Sequence, residues 1–116
     1  MPDLALNLVV IRSADLERAA LFYQALGLSL VKEQHSSGPG HYACVIGPTV
    51  FEIYPCTKEA PSSSATRIGF RVPCLEGALA ALAKQGAEVL SPVRTSPWGR
   101  RAVVVDPDGH RVEITE

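Results

Sequence analysis

The chain has 116 residues, the size of one domain, and its composition of 47% hydrophobic and 20% charged residues is typical of a globular protein. A net charge of −1, without a cluster of basic residues, argues against binding to nucleic acid or to an anionic membrane surface. No apolar run approaches the roughly 20 residues that span a bilayer, and residues 1–5 lack the basic and apolar regions of a signal peptide.

The first half of the chain predicts one amphipathic helix among four strands. Asp15 is suited to cap this helix and Gly27 to end it. Phe22 and Tyr23 belong to its apolar stripe, so we expect both rings to pack on the sheet. The predicted strands, with a Gly- and Pro-containing loop at 35–40, are at residues 4–12, 28–33, 41–46 and 49–54.

The second half repeats this order after a polar segment, residues 56–66, which has no hydrophobic pattern and is predicted to be a linker. The turn residues Asp-Pro-Asp-Gly at 106–109 predict a hairpin at the end of the chain. The elements predicted before that hairpin are a strand at 67–72, a helix at 75–85, a strand at 87–90 and a loop at 91–99.

A constant offset relates the two halves. Leu16 and Leu75 are 59 positions apart, as are Gly27 and Gly86, so chance is a poor explanation. We therefore predict an α+β fold of two βαβββ modules that form a curved mixed sheet around a ligand cleft. The predicted boundaries are module one at 1–55, a linker at 56–66 and module two at 67–116.

The repeat also predicts which side chains meet in the cleft. Leu8 and Arg67 match in the first strands at the 59-residue offset. Glu52 and Glu113 match in the last strands at an offset of 61, which a two-residue difference in loop length explains. On its strand, Glu113 points away from its apolar neighbours. A two-fold arrangement would bring all four side chains together. The alternative is that both glutamates are solvated charges on exposed strand faces.

Several motifs together resemble the vicinal oxygen chelate superfamily, which includes glyoxalase I, bleomycin-resistance proteins and extradiol dioxygenases. They are the paired βαβββ modules, the Phe22-Tyr23 and Gly27-Leu28 pairs of the first helix, and the terminal Asp106-Pro-Asp-Gly-His-Arg-Val-Glu113. The resemblance covers essentially the whole chain. It is specific for the superfamily but not for any one member.

In metal-using members, the first and last strands of each module contribute the ligands. The resemblance carries these positions to Leu8, Glu52, Arg67 and Glu113. Leucine has no donor atom and a guanidinium has no lone pair, so two carboxylates alone remain, which is a poor site for a catalytic metal. We therefore expect no metal or other cofactor. We expect instead that Arg67 bridges Glu52 and Glu113.

Other residues are weaker candidates. Trp98 resembles the Pro-Trp-Gly segment of bleomycin-resistance-like members, which implies stacking on an aromatic ligand; alternatively it caps the core. His41 could face the cleft and act in acid–base chemistry, as could Glu52 or Glu113. His35 and His110 lie in a loop and a turn, where surface positions are expected. Cys44 is expected to be a buried thiol.

Two functions fit these observations. The first is a small-molecule-binding protein that sequesters an aromatic or amphipathic ligand without a metal. The second is a metal-dependent lyase, isomerase or dioxygenase that acts on a vicinal-oxygen substrate. Because related proteins commonly pair modules within or between chains, a homodimer is expected. Three cysteines without Cys-x-x-Cys spacing indicate reduced thiols, and therefore a cytoplasmic protein. The residues do not identify the ligand.

Overall fold

The computed structural model describes residues 4–97 and 99–116. Within them the chain forms two helices and eight strands, which make two four-stranded sheets. In chain order these elements are β1 (Leu8–Ser13), α1 (Leu16–Leu26), β2 (Val31–Glu33), β3 (His41–Ile46), β4 (Thr49–Pro55), β5 (Arg67–Arg71), α2 (Leu75–Lys84), β6 (Glu88–Ser96), β7 (Gly99–Val105) and β8 (Arg111–Thr115).

The two sheets have the same topology, which confirms the predicted pair of βαβββ modules. The first sheet has the order β1-β4-β3-β2 and the second has the order β5-β8-β7-β6. In each sheet the first strand of the module is parallel to its last strand, and the remaining pairs are antiparallel. The 59-residue offset in the sequence therefore reports a real structural repeat.

The ends of α1 follow from local chemistry. The Asp15 side chain accepts a hydrogen bond from the backbone N–H of Arg18 at 3.2 Å and so satisfies one of the free donors of the first turn. At the other end Gly27 has φ = 124°, a conformation that a residue with a Cβ rarely adopts. Both predicted boundaries of this helix are confirmed.

Three strand boundaries differ from the prediction. The first strand begins at Leu8 rather than residue 4, and β2 begins at Val31 rather than residue 28. The predicted loop at 91–99 is wrong, because β6 continues to Ser96. The register of β6 against β7 shifts on both sides of Ser91, and such bulges on an edge strand tolerate Pro92, which cannot donate to the ladder.

The core lies between the helices and the sheet faces that they cover. The Phe22 and Tyr23 rings are 98–100% buried in it, as predicted. Tyr23 also contacts Phe51 of the first sheet and Phe70 of the second, at ring-centroid distances of 5.3 and 6.1 Å. The modules are thus joined through their helix-side faces. Neither helix in the described part of the chain has the length and apolar character needed to cross a membrane.

Candidate functional site

Each sheet has an open face, opposite the face that packs on the helices. Strand alternation places Glu52 on the open face of the first sheet, between its Cα partners Val10 and Ala43. Glu113 lies in the equivalent place on the second sheet, between Gly69 and Val103. Their side chains are 18% and 28% exposed, so neither glutamate is a fully solvated surface charge.

Glu113 is held by two arginines of its own sheet. The Arg67 guanidinium donates to its carboxylate at 2.7 Å, and Arg101 lies 3.3 Å from the same oxygen. Because half of the Arg67 side chain is exposed, solvent screens this pair and its contribution to stability is small. Arg67 and Arg101 together form a positively charged patch around Glu113.

Glu52 has a different partner, so the predicted Arg67 bridge forms only in part. Its carboxylate lies 3.7 Å from Nε2 of His41, and within the described residues it makes no ion pair with Arg67. The prediction that Arg67 bridges both glutamates is wrong for a single chain. The physical reason is that the two sheets are joined through their helix-side faces, which leaves the two open faces apart.

The residues at the positions where the resemblance implies a metal do not fit one. Leu8 is half exposed on β1 and offers no donor atom. Arg67 is a cation, and both Arg67 and Arg101 form ion pairs with the carboxylate of Glu113. A divalent ion at this position would have to displace two guanidinium groups and would gain a single strong ligand in each module.

A groove of about 430 Å³ lies on the open face of the first sheet. Its apolar walls come from strands β2, β3 and β4, and two carboxylates, Glu33 and Glu52, point into it. The apolar residues among those that line it are Val31, Ala43, Val45 and Val50. A cavity with mostly apolar walls and a few polar groups is typical of a small-molecule site.

His41 lies beside this groove at the start of β3. It is 1% exposed, and its ring stacks on Tyr54 at a centroid distance of 4.2 Å and an interplanar angle of 7°. The Arg12 guanidinium also lies 5.3 Å from the centroid of the Tyr54 ring. Burial and stacking on Tyr54 therefore restrict the orientation of the imidazole.

Sequence reasoning missed two neighbours of His41. Glu33 is its direct cross-strand partner, and His35 follows two residues later with its Nε2 3.4 Å from the same glutamate. The signal that could have revealed them is the antiparallel pairing of β2 with β3 across the 34–40 loop. His35 itself is exposed, as predicted, with 75% of its side chain accessible.

A second cluster contains a serine, a histidine and an aspartate in the order of a catalytic triad. Ser63 Oγ lies 2.6 Å from Nε2 of His110, and Nδ1 of His110 lies 2.7 Å from the Asp106 carboxylate. However, Ser63 Oγ also accepts a hydrogen bond at 2.8 Å from the backbone N–H of Arg12. The hydroxyl thus joins the linker to β1 through a hydrogen bond, and its contacts are those of a structural residue.

This cluster corrects the prediction for His110, which is 0% exposed rather than at the surface. Burial raises the pKa of the Asp106 carboxyl, but the hydrogen bonds from His110 and Tyr23 outweigh burial and hold that pKa below its usual value. Burial next to this carboxylate raises the pKa of the Tyr23 phenol, so Tyr23 stays protonated and donates at 2.6 Å.

Two further predictions concern Trp98 and Cys44. Trp98 lies outside the described residues, so its stacking role stays a prediction. Cys44 is buried, as expected, and burial raises the pKa of its thiol. A raised pKa lowers the fraction of reactive thiolate at neutral pH, which fits a packing role.

Residues 5–114 match the family described as the Glyoxalase/Bleomycin resistance protein/Dioxygenase superfamily. Among solved structures, TnmS3, an antibiotic binding protein from Streptomyces sp. CB03234, is 23% identical; the match covers 99% of this chain and 97% of that chain, with a TM-score of 0.78. A glyoxalase/bleomycin resistance protein from the same organism is also 23% identical, over 97% and 100% of the chains, with a TM-score of 0.74. TioX from Micromonospora sp. ML1 is 20% identical, over 95% and 96%, with a TM-score of 0.72. No curated protein matches by sequence. At these identities the similarity to solved structures shows the fold.

Proposed function

The chain belongs to the Glyoxalase/Bleomycin resistance protein/Dioxygenase superfamily, and we propose that it is a small-molecule-binding protein that sequesters an aromatic or amphipathic ligand. The observation that carries this proposal is the groove on the open face of the first sheet, with its apolar walls and two carboxylates. TnmS3, which has the same fold, is described as an antibiotic binding protein. The unpaired cysteines support placing the protein in the cytoplasm.

The walls of the groove set the chemistry of the ligand. Apolar surface at Val31, Val45 and Val50 favours a flat hydrophobic body, because the burial of apolar area drives such binding. Glu33 and Glu52 add negative charge on the same face. A planar aromatic molecule with a basic group meets both conditions.

A second copy of the chain would close the groove, and we propose that the protein is a homodimer. The open face of the first sheet carries large apolar side chains that solvent would otherwise contact, with Leu8 51%, Val31 61% and Val45 74% exposed. This face also carries Glu33 and Glu52. The open face of the second sheet is basic, because Arg67, Arg71, Arg101 and Arg111 all point to it.

Such pairing would place the second sheet of one copy over the first sheet of the other. Arg67 and Glu113 of one copy would then reach Glu52 of the other, and the four side chains that the repeat predicts to meet would share a cleft built by two chains. We propose that this centre works without a metal. The support is the chemistry of Leu8 and Arg67, neither of which can act as a ligand.

The test uses proflavine, a planar aromatic cation, as the probe, with fluorescence polarisation as the readout. We expect saturable binding that is lost in Ala43→Phe, because the new ring fills the groove between Val31 and Glu52. Ala80→Phe, a matched change on the exposed face of α2, should bind as the wild type does. Binding that survives Ala43→Phe would refute the groove as the site. Absence of saturable binding to proflavine and to a panel of neutral aromatic compounds would refute the binding function.

A further inference from the structure

Three side chains that can bind a metal, Glu33, His35 and His41, meet at the edge of the first sheet, away from the positions that the family uses for a metal. One carboxylate oxygen of Glu33 lies 3.4 Å from Nε2 of His35 and 3.4 Å from Nε2 of His41. The donor atoms of these three residues all lie within 4.8 Å of one another. The carboxylate of Glu52 lies 3.7 Å from the same Nε2 but is not part of this three-residue group.

The tautomer of His41 directs a lone pair into this cluster. Its Nδ1 lies 3.2 Å from the carbonyl oxygen of Pro39, and a carbonyl oxygen can only accept, so Nδ1 carries the proton. In the neutral ring, Nε2 is then an acceptor that faces the carboxylates of Glu33 and Glu52. The Tyr54 hydroxyl, at 3.5 Å, is at the limit of a hydrogen bond.

A buried imidazole nitrogen that faces carboxylates is satisfied by a positive charge between them, which either a proton on Nε2 or a metal ion supplies. His41 is 99% buried, and stacking on Tyr54 prevents its ring from turning away. A metal ion bound at Nε2 would satisfy this lone pair and the carboxylate of Glu33 together. An Nδ1–H that donates to a backbone carbonyl is also the usual second-shell contact of a metal-binding histidine.

The third ligand, His35, is held by a tight turn. Ser36 has φ = 54°, and the carbonyl oxygen of His35 accepts a hydrogen bond from the N–H of Gly38 at 2.9 Å. The imidazole of His35 lies 5.4 Å from that of His41, centroid to centroid. The turn therefore orders an exposed histidine beside a buried one, which leaves an open side through which an ion can enter.

The repeat shows that this cluster is particular to module one. In the second sheet the cross-strand pair that corresponds to Glu33 and His41 is Arg94 and Arg101. Those two positions carry positive charge and cannot bind a cation. Residues that the fold itself requires would be expected in both modules, whereas residues that bind an ion need to be present in only one.

We propose that His35, Glu33 and His41 bind a divalent transition-metal ion. Two imidazoles and one carboxylate are ligands that suit Zn²⁺, Ni²⁺ or Co²⁺, and they leave a coordination position open. This site lies at the rim of the proposed ligand groove, and it is distinct from the metal-free centre at Arg67 and Glu113. It does not depend on the proposed binding function.

The experiment uses untagged, chelator-treated protein that is titrated with Zn²⁺ by calorimetry and with Co²⁺ by visible absorption. We expect one ion per chain, and an affinity at least about 100-fold weaker in His35→Ala and in Glu33→Gln, each of which removes a ligand. His35 is exposed, so that substitution leaves the core intact and the result does not depend on a variant that fails to fold. Glu59→Gln is the matched control at an exposed glutamate.

Two further variants separate rival sites. Cys74, Glu76 and Glu116 also lie within reach of one another, so metal binding that is lost in Cys74→Ser but kept in His35→Ala would overturn the proposal. Binding lost in Glu113→Gln but kept in His35→Ala would overturn it too, and would also refute the metal-free centre. Absence of stoichiometric binding would refute this site and leave the proflavine test of the groove unaffected.

Discussion

Tyr23→Phe removes a single hydrogen bond from a buried carboxylate and leaves the packing of the ring unchanged. The Tyr23 hydroxyl donates to Oδ2 of Asp106 at 2.6 Å, and the tyrosine is 0% exposed. Hydrogen bonds to charged groups contribute about 1.5–3 kcal/mol. Because the same oxygen still accepts a hydrogen bond from His110 at 2.7 Å, we expect a loss of about 2 kcal/mol in the free energy of unfolding.

Urea denaturation followed by circular dichroism measures this loss. With an m value of about 1.5 kcal/mol/M, the midpoint should fall by roughly 1.3 M. The chain offers a matched control in Tyr42, whose hydroxyl donates at the same distance, 2.6 Å, to Glu17. Since Glu17 is exposed, Tyr42→Phe should leave the midpoint close to that of the wild type.

The pH dependence of the loss gives a second measurement. The pKa of Asp106 is lowered in the folded state, so the ionised carboxylate stabilises the fold above its ordinary pKa of 3.8, and this stabilisation is lost as the pH falls through the lowered value. The difference between wild type and Tyr23→Phe should therefore persist at neutral pH and decrease below about pH 4. Equal effects of Tyr23→Phe and Tyr42→Phe, or a difference that grows on acidification, would refute this reasoning.

Three other predictions follow from the same structure. Ser63→Ala removes the acceptor for the Arg12 N–H and the donor to His110, and should lower the free energy of unfolding by about 1–2 kcal/mol in the same urea assay. No change would show that these hydrogen bonds of the linker do not stabilise the fold. Gly27→Ala should cost about 1–2 kcal/mol through its positive φ alone, since a Cβ there meets no atom within 4 Å. Val45→Asp should convert the proposed dimer to monomer in sedimentation velocity, whereas Leu21→Asp, at an exposed position on α1, should not.

The repeat and the first helix were predictable because their signals are local. The cap at Asp15, the stop at Gly27 and the apolar stripe between them lie within 13 consecutive residues, and the structure reproduces them. The offset between modules also predicted that Glu52 and Glu113 would occupy equivalent places, and both lie on the open faces of their sheets. Periodicity sets which face of a strand a residue occupies.

What the sequence did not reveal depends on distant partners. His110 lies in a turn, and its buried imidazole contacts Ser63, which is 47 positions away in the chain. The length of β6 depends on bulges that only its pairing with β7 shows. The contact expected between Arg67 and Glu52 depends on how the two modules pack, and a repeat alone does not determine which faces of two identical units meet.

The hydrogen bond between Tyr23 of module one and Asp106 of module two has a consequence for the order of folding during synthesis. The hydroxyl of Tyr23 and its acceptor Asp106 are 83 positions apart, so the ribosome has released module one well before that acceptor exists. Until then a nascent first module would bury a phenol without a partner, or leave the helix undocked. Module one is therefore expected to become resistant to protease only when the Asp106 turn has emerged, so that both halves of the duplicated chain mature in a single late step.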